Sequence, residues 1–203
     1  MSDDLQRRLS RSRPRAPTDV AGLRAALARR AAEEGLLDVA YAQYDSPLGQ
    51  LTVFVTPRGL VRLSYPGEPI GDQLEDLAAR VSPRILAAPQ RTDAVRRELD
   101  AYFAGRLRRF RTAVDWRLVR GFAADVLRAT ARVPYGAVTT YRGVATAAGS
   151  PRAYRAAGNA LGSNPIPIVV PCHRVVHADG GLGGYTGGLE RKEYLLRLEG
   201  AGR

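Results

Sequence analysis

The chain has 203 residues, 45% of them apolar and 25% charged, enough for one large or two small domains with real cores, which excludes a wholly disordered protein. One cysteine excludes an internal disulfide framework and, with only two histidines, an all-Cys/His structural zinc site. No apolar run approaches membrane-spanning length and the N-terminus lacks a signal-peptide core, so a cytoplasmic protein without membrane contact is expected. The formal net charge of +11 rests on 31 basic residues, of which only Lys192 is a lysine. A guanidinium donates paired hydrogen bonds to phosphate, so a polyanionic partner is expected, although genome base content produces the same arginine bias.

Residues 1–17 mix arginine, serine and proline without apolar period and read as a disordered basic arm. Val20, Leu23, Leu27 and Ala31 then share a helical face, with Thr18 or Asp19 as cap and Gly35 after the last turn, predicting a short amphipathic helix docked on the next elements of the chain. Val39 to Asp45, Gln50 to Thr56 and Leu60 to Tyr65 are β-rich runs separated by S-P-L-G and P-R-G, which predicts an antiparallel meander. Helical patterns follow at Asp72 to Val81 and at Thr92 to Ala104. The expected fold class is therefore α+β: an N-terminal antiparallel-sheet domain with helices over residues 38–116, after an extension spanning 1–37, and a mostly helical domain over 117–203.

In that second part Val119, Phe122, Ala123, Val126 and Leu127 predict a strong helix ending before V-P-Y-G. T-T-Y-R-G-V-A-T-A-A-G, a turn at G-S-P, and R-A-Y-R-A-A-G-N-A-L-G-S-N then read as two alanine-rich helices in a helix-turn-helix, with Arg152 and Arg155 on the second. Alanine-rich hairpins also pack in proteins that never touch DNA. With the basic balance, DNA is the favoured partner. Six glycines between Gly180 and Gly188 make a loop that lacks P-loop spacing and G-K-[ST]; its backbone is suited to pass close to a flat ligand. The last predicted helix runs from Leu189 to Glu199.

The stretch Ile166 to Val176, I-P-I-V-V-P-C-H-R-V-V, holds the only cysteine, Cys172, directly before His173. It reads as a short buried strand ending at Pro171, with the thiol at its lip. A thiol becomes a good nucleophile when an imidazole or a positive environment removes its proton, so the pair is a candidate catalytic centre. A lone cysteine is also often a small buried hydrophobe, and the pair by itself leaves both readings open.

P-C-H-R-V-V at Pro171 to Val176, preceded by N-P-I-P-I and followed by G-Y-T-G-G and R-K-E-Y-L-L, resembles the O6-alkylguanine-DNA alkyltransferases, the methylated-DNA-protein-cysteine methyltransferase family. The resemblance is strongest from Phe122 to Glu199 and reaches back to Val39, where D-S-P-L-G resembles the start of the family's N-terminal domain. It implies direct-reversal DNA repair: stoichiometric transfer of an alkyl group from O6-alkylguanine in flipped-out DNA to Cys172, without cofactor or metal. It further implies that His173 is the base, acting through a water, and that Glu199 orients it. Tyr141 would rotate the target phosphate and protonate the leaving guanine, and Asn164 would brace the active-site turn. Arg155 would fill the gap in the duplex beside Arg152 and Ala153, while Val175, Tyr185 and Thr186 would line the base pocket. Gly162 departs from members with a basic residue there, and His177 is assigned a surface role. Glu199, at a helix C-terminus, calls for a positive partner. Acceptance of O4-alkylthymine and cooperative self-association on DNA stay open. The alternatives are a protein that recognises alkylguanine without repairing it, disfavoured by the presence of Cys172, and a cysteine hydrolase, which needs an oxyanion hole.

Overall fold

The computed structural model describes residues 20–201; the expected basic arm and the caps Thr18 and Asp19 lie outside the described residues. Helix α1 spans Val20–Glu33. It buries Ala28 and Ala31, whereas Val20, Leu23 and Leu27 of the predicted face remain exposed. Both alanines, near the end of the helix, join the main apolar cluster.

Strands β1 (Val39–Ser46), β2 (Gly49–Thr56) and β3 (Gly59–Ser64) form the expected antiparallel meander. The β1–β2 turn is closed by Ser46, whose hydroxyl donates to Gly49 O at 2.7 Å and accepts from Leu48 N at 3.1 Å. After helix α2 (Ile70–Arg80), a three-residue strand β4 (Ile85–Ala87) pairs parallel to β1, giving the order β3-β2-β1-β4. The sheet is thus mixed at one edge. Residues 85–87 are too few to show a period and lie between Pro83 and Pro89. Helix α3 (Pro89–Phe103) starts with proline at its first position, where a missing N–H costs nothing, and packs over β1 and β2.

The other edge of the sheet is held by the chain leading into the C-terminal half. Leu60 exchanges backbone hydrogen bonds with Ala113 and Asp115, and Leu63 N donates to Pro165 O at 2.9 Å. Helix α4 (Gly121–Thr130) then packs against α5 (Tyr141–Ala147) and α6 (Tyr154–Gly162), the predicted helix pair. Thr140 caps α5 by accepting from Gly143 N at 3.0 Å. Strand β5 (Thr139–Thr140) pairs parallel with β6 (Val175–Val176), and α7 (Leu189–Leu198) closes the fold. One continuous apolar cluster joins both halves, from Leu51 and Tyr102 to Ile166, Cys172 and Leu195.

Candidate active site

The predicted strand before Cys172 does not form. Pro165, Pro167 and Pro171 withhold three ladder donors, and the chain turns tightly, with Val170 N on Ile166 O at 2.9 Å and Cys172 N on Val170 O at 2.8 Å. Ile168 takes φ 71, costly for a β-branched residue and held by its full burial. Cys172–Arg174 follow as a single 3-10 turn. The thiol is therefore buried inside a proline-built turn and not at a strand lip.

Asn164 organises that turn. Its Oδ1 accepts from Ile166 N at 3.0 Å, and its Nδ2 donates to Val170 O at 2.8 Å and to Cys172 Sγ at 3.1 Å. Burial pushes the thiol pKa up; the Asn164 hydrogen bond, the Lys192 charge and the Tyr185 hydroxyl oppose that rise. Next to it His173 is fully buried, with Nε2 at 2.9 Å from Glu199 Oε1. A carboxylate only accepts, so Nε2 carries the hydrogen and Nδ1 keeps its lone pair. Nδ1 is buried without a protein partner, and burial holds the ring neutral against the opposing pull of Glu199. This is the state of a base.

Glu199 has the positive partner that its helix position requires. Arg174 Nε and Nη2 donate to its two oxygens at 2.8 and 2.9 Å, and Tyr102 donates to Oε1 at 2.6 Å. Burial alone would raise the carboxyl pKa, but the hydrogen bonds from His173, Arg174 and Tyr102 hold it at about 2. Arg174, Tyr102 and Lys192 are site residues that sequence reasoning missed. Lys192 is fully buried on the face of α7 that carries Leu195 and Leu196; its Nζ donates to Val175 O at 2.6 Å and to Leu182 O. Burial lowers its pKa to about 8, with the Cys172 thiolate pulling the other way. A lysine three and four residues before two buried leucines was the available signal for it.

The β5–β6 ladder sets Tyr141, first residue of α5, beside the Cys172 segment. Burial and the nearby Cys172 raise the Tyr141 pKa, so the phenol stays protonated. An added Cβ at Gly183 would meet its hydroxyl at 2.5 Å, which places the glycine loop directly over the phenol. Tyr185 lies near Cys172, and Thr186 Oγ1 donates to Gly162 O at 2.6 Å, tying that loop to the end of α6. Val175 is buried, and its carbonyl accepts from Lys192. Outside, Arg155 is exposed on α6 with its guanidinium 5.7 Å from the Tyr154 ring, whereas Arg152, expected on the same helix, lies in the exposed turn before it, and Ala153 occupies the N-cap position without a side-chain hydrogen bond. Tyr141, Arg142, Tyr154 and Arg155 line a groove of about 690 Å³ that His177 also borders. No group of three or more His, Cys, Asp or Glu able to hold a metal occurs among the described residues.

Residues 121–201 match the family model described as 6-O-methylguanine DNA methyltransferase, DNA binding domain, and residues 39–116 that of its ribonuclease-like domain. A methylated-DNA–protein-cysteine methyltransferase of Mycolicibacterium paratuberculosis is 42% identical over 168 residues, covering 79% of this chain and 92% of that protein. The chain belongs to the methylated-DNA–protein-cysteine methyltransferase family. A second family member, from Methanosarcina barkeri, is 47% identical over 106 residues, 51% of this chain and 65% of the relative. Among solved members, the crystal structure of Mycobacterium tuberculosis OGT in complex with DNA superposes with a TM-score of 0.68 at 37% identity, covering 79% of this chain and 92% of that one. That of the O6-methylguanine-DNA methyltransferase from Pyrococcus kodakaraensis gives 0.55 at 26% identity over 80% and 99%.

Proposed function

We infer that this chain repairs DNA by direct reversal, taking an alkyl group from O6-alkylguanine onto Cys172 once and irreversibly. The observation that carries the mechanism is the buried thiol, held by Asn164 at 3.1 Å and followed by a neutral His173 whose Nδ1 lone pair is unused and whose Nε2–H is bound by Glu199. His173, through a water, takes the thiol proton. The thiolate then forms the S–C bond while the C–O6 bond breaks, and the guanine leaving group takes a proton from Tyr141. Glu199 holds the ring orientation and stabilises the imidazolium, as the carboxylate does in hydrolytic triads.

Guanine O6 lies inside the stack, so the base leaves the duplex to react. Arg155, exposed at the start of α6, fills the space it leaves, while Arg152 and the backbone at Ala153 meet the neighbouring strand; Tyr185, Thr186 and Val175 receive the base. The thioether is not readily hydrolysed and the chain has no second cysteine to take the group onward, so the protein is consumed. Residues 38–116 act as scaffold for the acceptor half. A reducing cytoplasm suits a chain whose one cysteine must remain a thiol.

The test is mass spectrometry after incubation with duplex carrying O6-methylguanine. One added methyl group per protein, on Cys172, is expected, with none on Cys172→Ala. Repeated turnover, or tight lesion binding with Cys172 unmodified, sinks the proposal. Binding to the same duplex at several salt concentrations should weaken steeply as salt rises. An isotherm steeper than one site would report cooperative self-association on the duplex.

A further inference from the structure

Tyr65 directly follows β3, an edge strand of the N-terminal sheet, and has no part in the mechanism above, yet its hydroxyl lies 2.7 Å from that of Tyr185, 120 positions away in sequence. The contact is built on both sides. Tyr65 is 6% exposed; its ring meets Tyr185 edge-on at 6.1 Å, and the Arg191 guanidinium covers it at 5.1 Å. Arg191 in turn donates to Gly187 O at 2.6 Å and to Leu48 O at 3.2 Å, so one side chain ties the glycine loop to the β1–β2 turn. An added Cβ at Gly187 would lie 2.6 Å from the Tyr65 ring, so the loop reaches this position only with glycine there.

A phenol has one hydrogen to give. If Tyr185 directs its hydrogen at the Cys172 sulfur, its own oxygen is free to accept, and Tyr65 is the group placed to donate to it. We propose that Tyr65 is a positioning residue of the alkyl-acceptor site, its hydroxyl orienting the Tyr185 hydroxyl towards the Cys172 sulfur so that the N-terminal sheet helps to hold the thiolate. The idea rests on the reading of Cys172 as the acceptor. Its chemistry concerns the thiol alone: Asn164 Nδ2 donates at 3.1 Å to a sulfur whose burial disfavours the charged form, and the Tyr185 hydroxyl opposes the same effect. The titratable groups facing that sulfur are Tyr65, Tyr141, Tyr185 and Lys192; the double variant below separates what Tyr65 does through Tyr185 from its own direct electrostatic effect.

The experiment measures Cys172 alkylation by iodoacetamide across pH, without DNA, for wild type and Tyr65→Phe, alongside thermal unfolding of both. Phe keeps the ring packing and removes only the hydroxyl. The rate profile of the variant should move to higher pH by about half a unit, or roughly threefold slower alkylation at a fixed pH on its rising limb, with the two rates converging at high pH. A purely structural role would lower the melting temperature and leave the profile in place; superimposable profiles overturn the proposal, as does a shift equally present in Tyr185→Phe/Tyr65→Phe relative to Tyr185→Phe. Because iodoacetamide needs no lesion, failure here is distinct from failure of methyl transfer from DNA.

Discussion

Glu199 gathers more charged and hydrogen-bonding partners than Cys172 does. Its two oxygens take hydrogen bonds from a neutral imidazole, a guanidinium and a phenol, all buried. Glu199→Gln leaves Arg174 buried without its counter-charge, and removing one partner of such a pair costs roughly 3–5 kcal/mol. Urea unfolding at pH 7 should show a loss of that order, with slower methyl transfer as His173 loses its orienting acceptor. The pH dependence has a definite sign. The folded carboxyl pKa of about 2 lies below the usual 4.5, so its stabilisation is complete above about pH 4.5 and is lost as the pH falls towards 2. The gap between wild type and variant in the unfolding midpoint should therefore narrow over that window; a constant gap would show that the charge is not what Glu199 contributes.

Among the elements, the glycine loop between β6 and α7 is shaped by what it must approach. Gly183 combines φ +69 with a hydroxyl 2.5 Å from where a Cβ would stand, whereas Gly180, at φ +87, has nothing within 4 Å. Gly183→Ala should push the loop off Tyr141 and slow methyl transfer by at least about tenfold, since a displacement near 1 Å at a reacting centre is enough for that. Gly180→Ala carries only the backbone penalty of roughly 1 kcal/mol and should transfer at close to the wild-type rate. Single-turnover kinetics on the two variants separates crowding from strain. The helix pair was legible in the sequence because its signals are local: small residues in the helices and the G-S-P turn, with Gly149 and Pro151, between them. The segment 166–171 was not, since an apolar run satisfies a strand pattern even where prolines and a positive φ at Ile168 force a turn. In α1 only Ala31 of the predicted face is buried, together with Ala28, because alanine contacts leave little periodic trace.

Across the whole molecule, the residues that sequence alone missed are those whose meaning depends on distant partners. Cys172 and His173 are adjacent in the chain, but Tyr102 meets Glu199 across 97 positions and Tyr65 meets Tyr185 across 120. No local pattern marks such a tyrosine as anything but a core aromatic. The same contacts tie the C-terminal half to the N-terminal half, since both share one apolar cluster and Leu63 N donates to Pro165 O. A fragment comprising residues 117–203 should therefore show no cooperative thermal transition by circular dichroism; a sharp one would mean that the C-terminal core is self-sufficient. The burial of Lys192 has a further result. It is the only lysine in the chain, so lysine amines are absent from the folded surface while the arginines keep that surface positive. Conjugation chemistry that requires a lysine amine, whether a protein tag, an acetyl group or a laboratory crosslinker, reaches this side chain only when α7 opens. Labelling of Lys192 thus becomes a clock for unfolding.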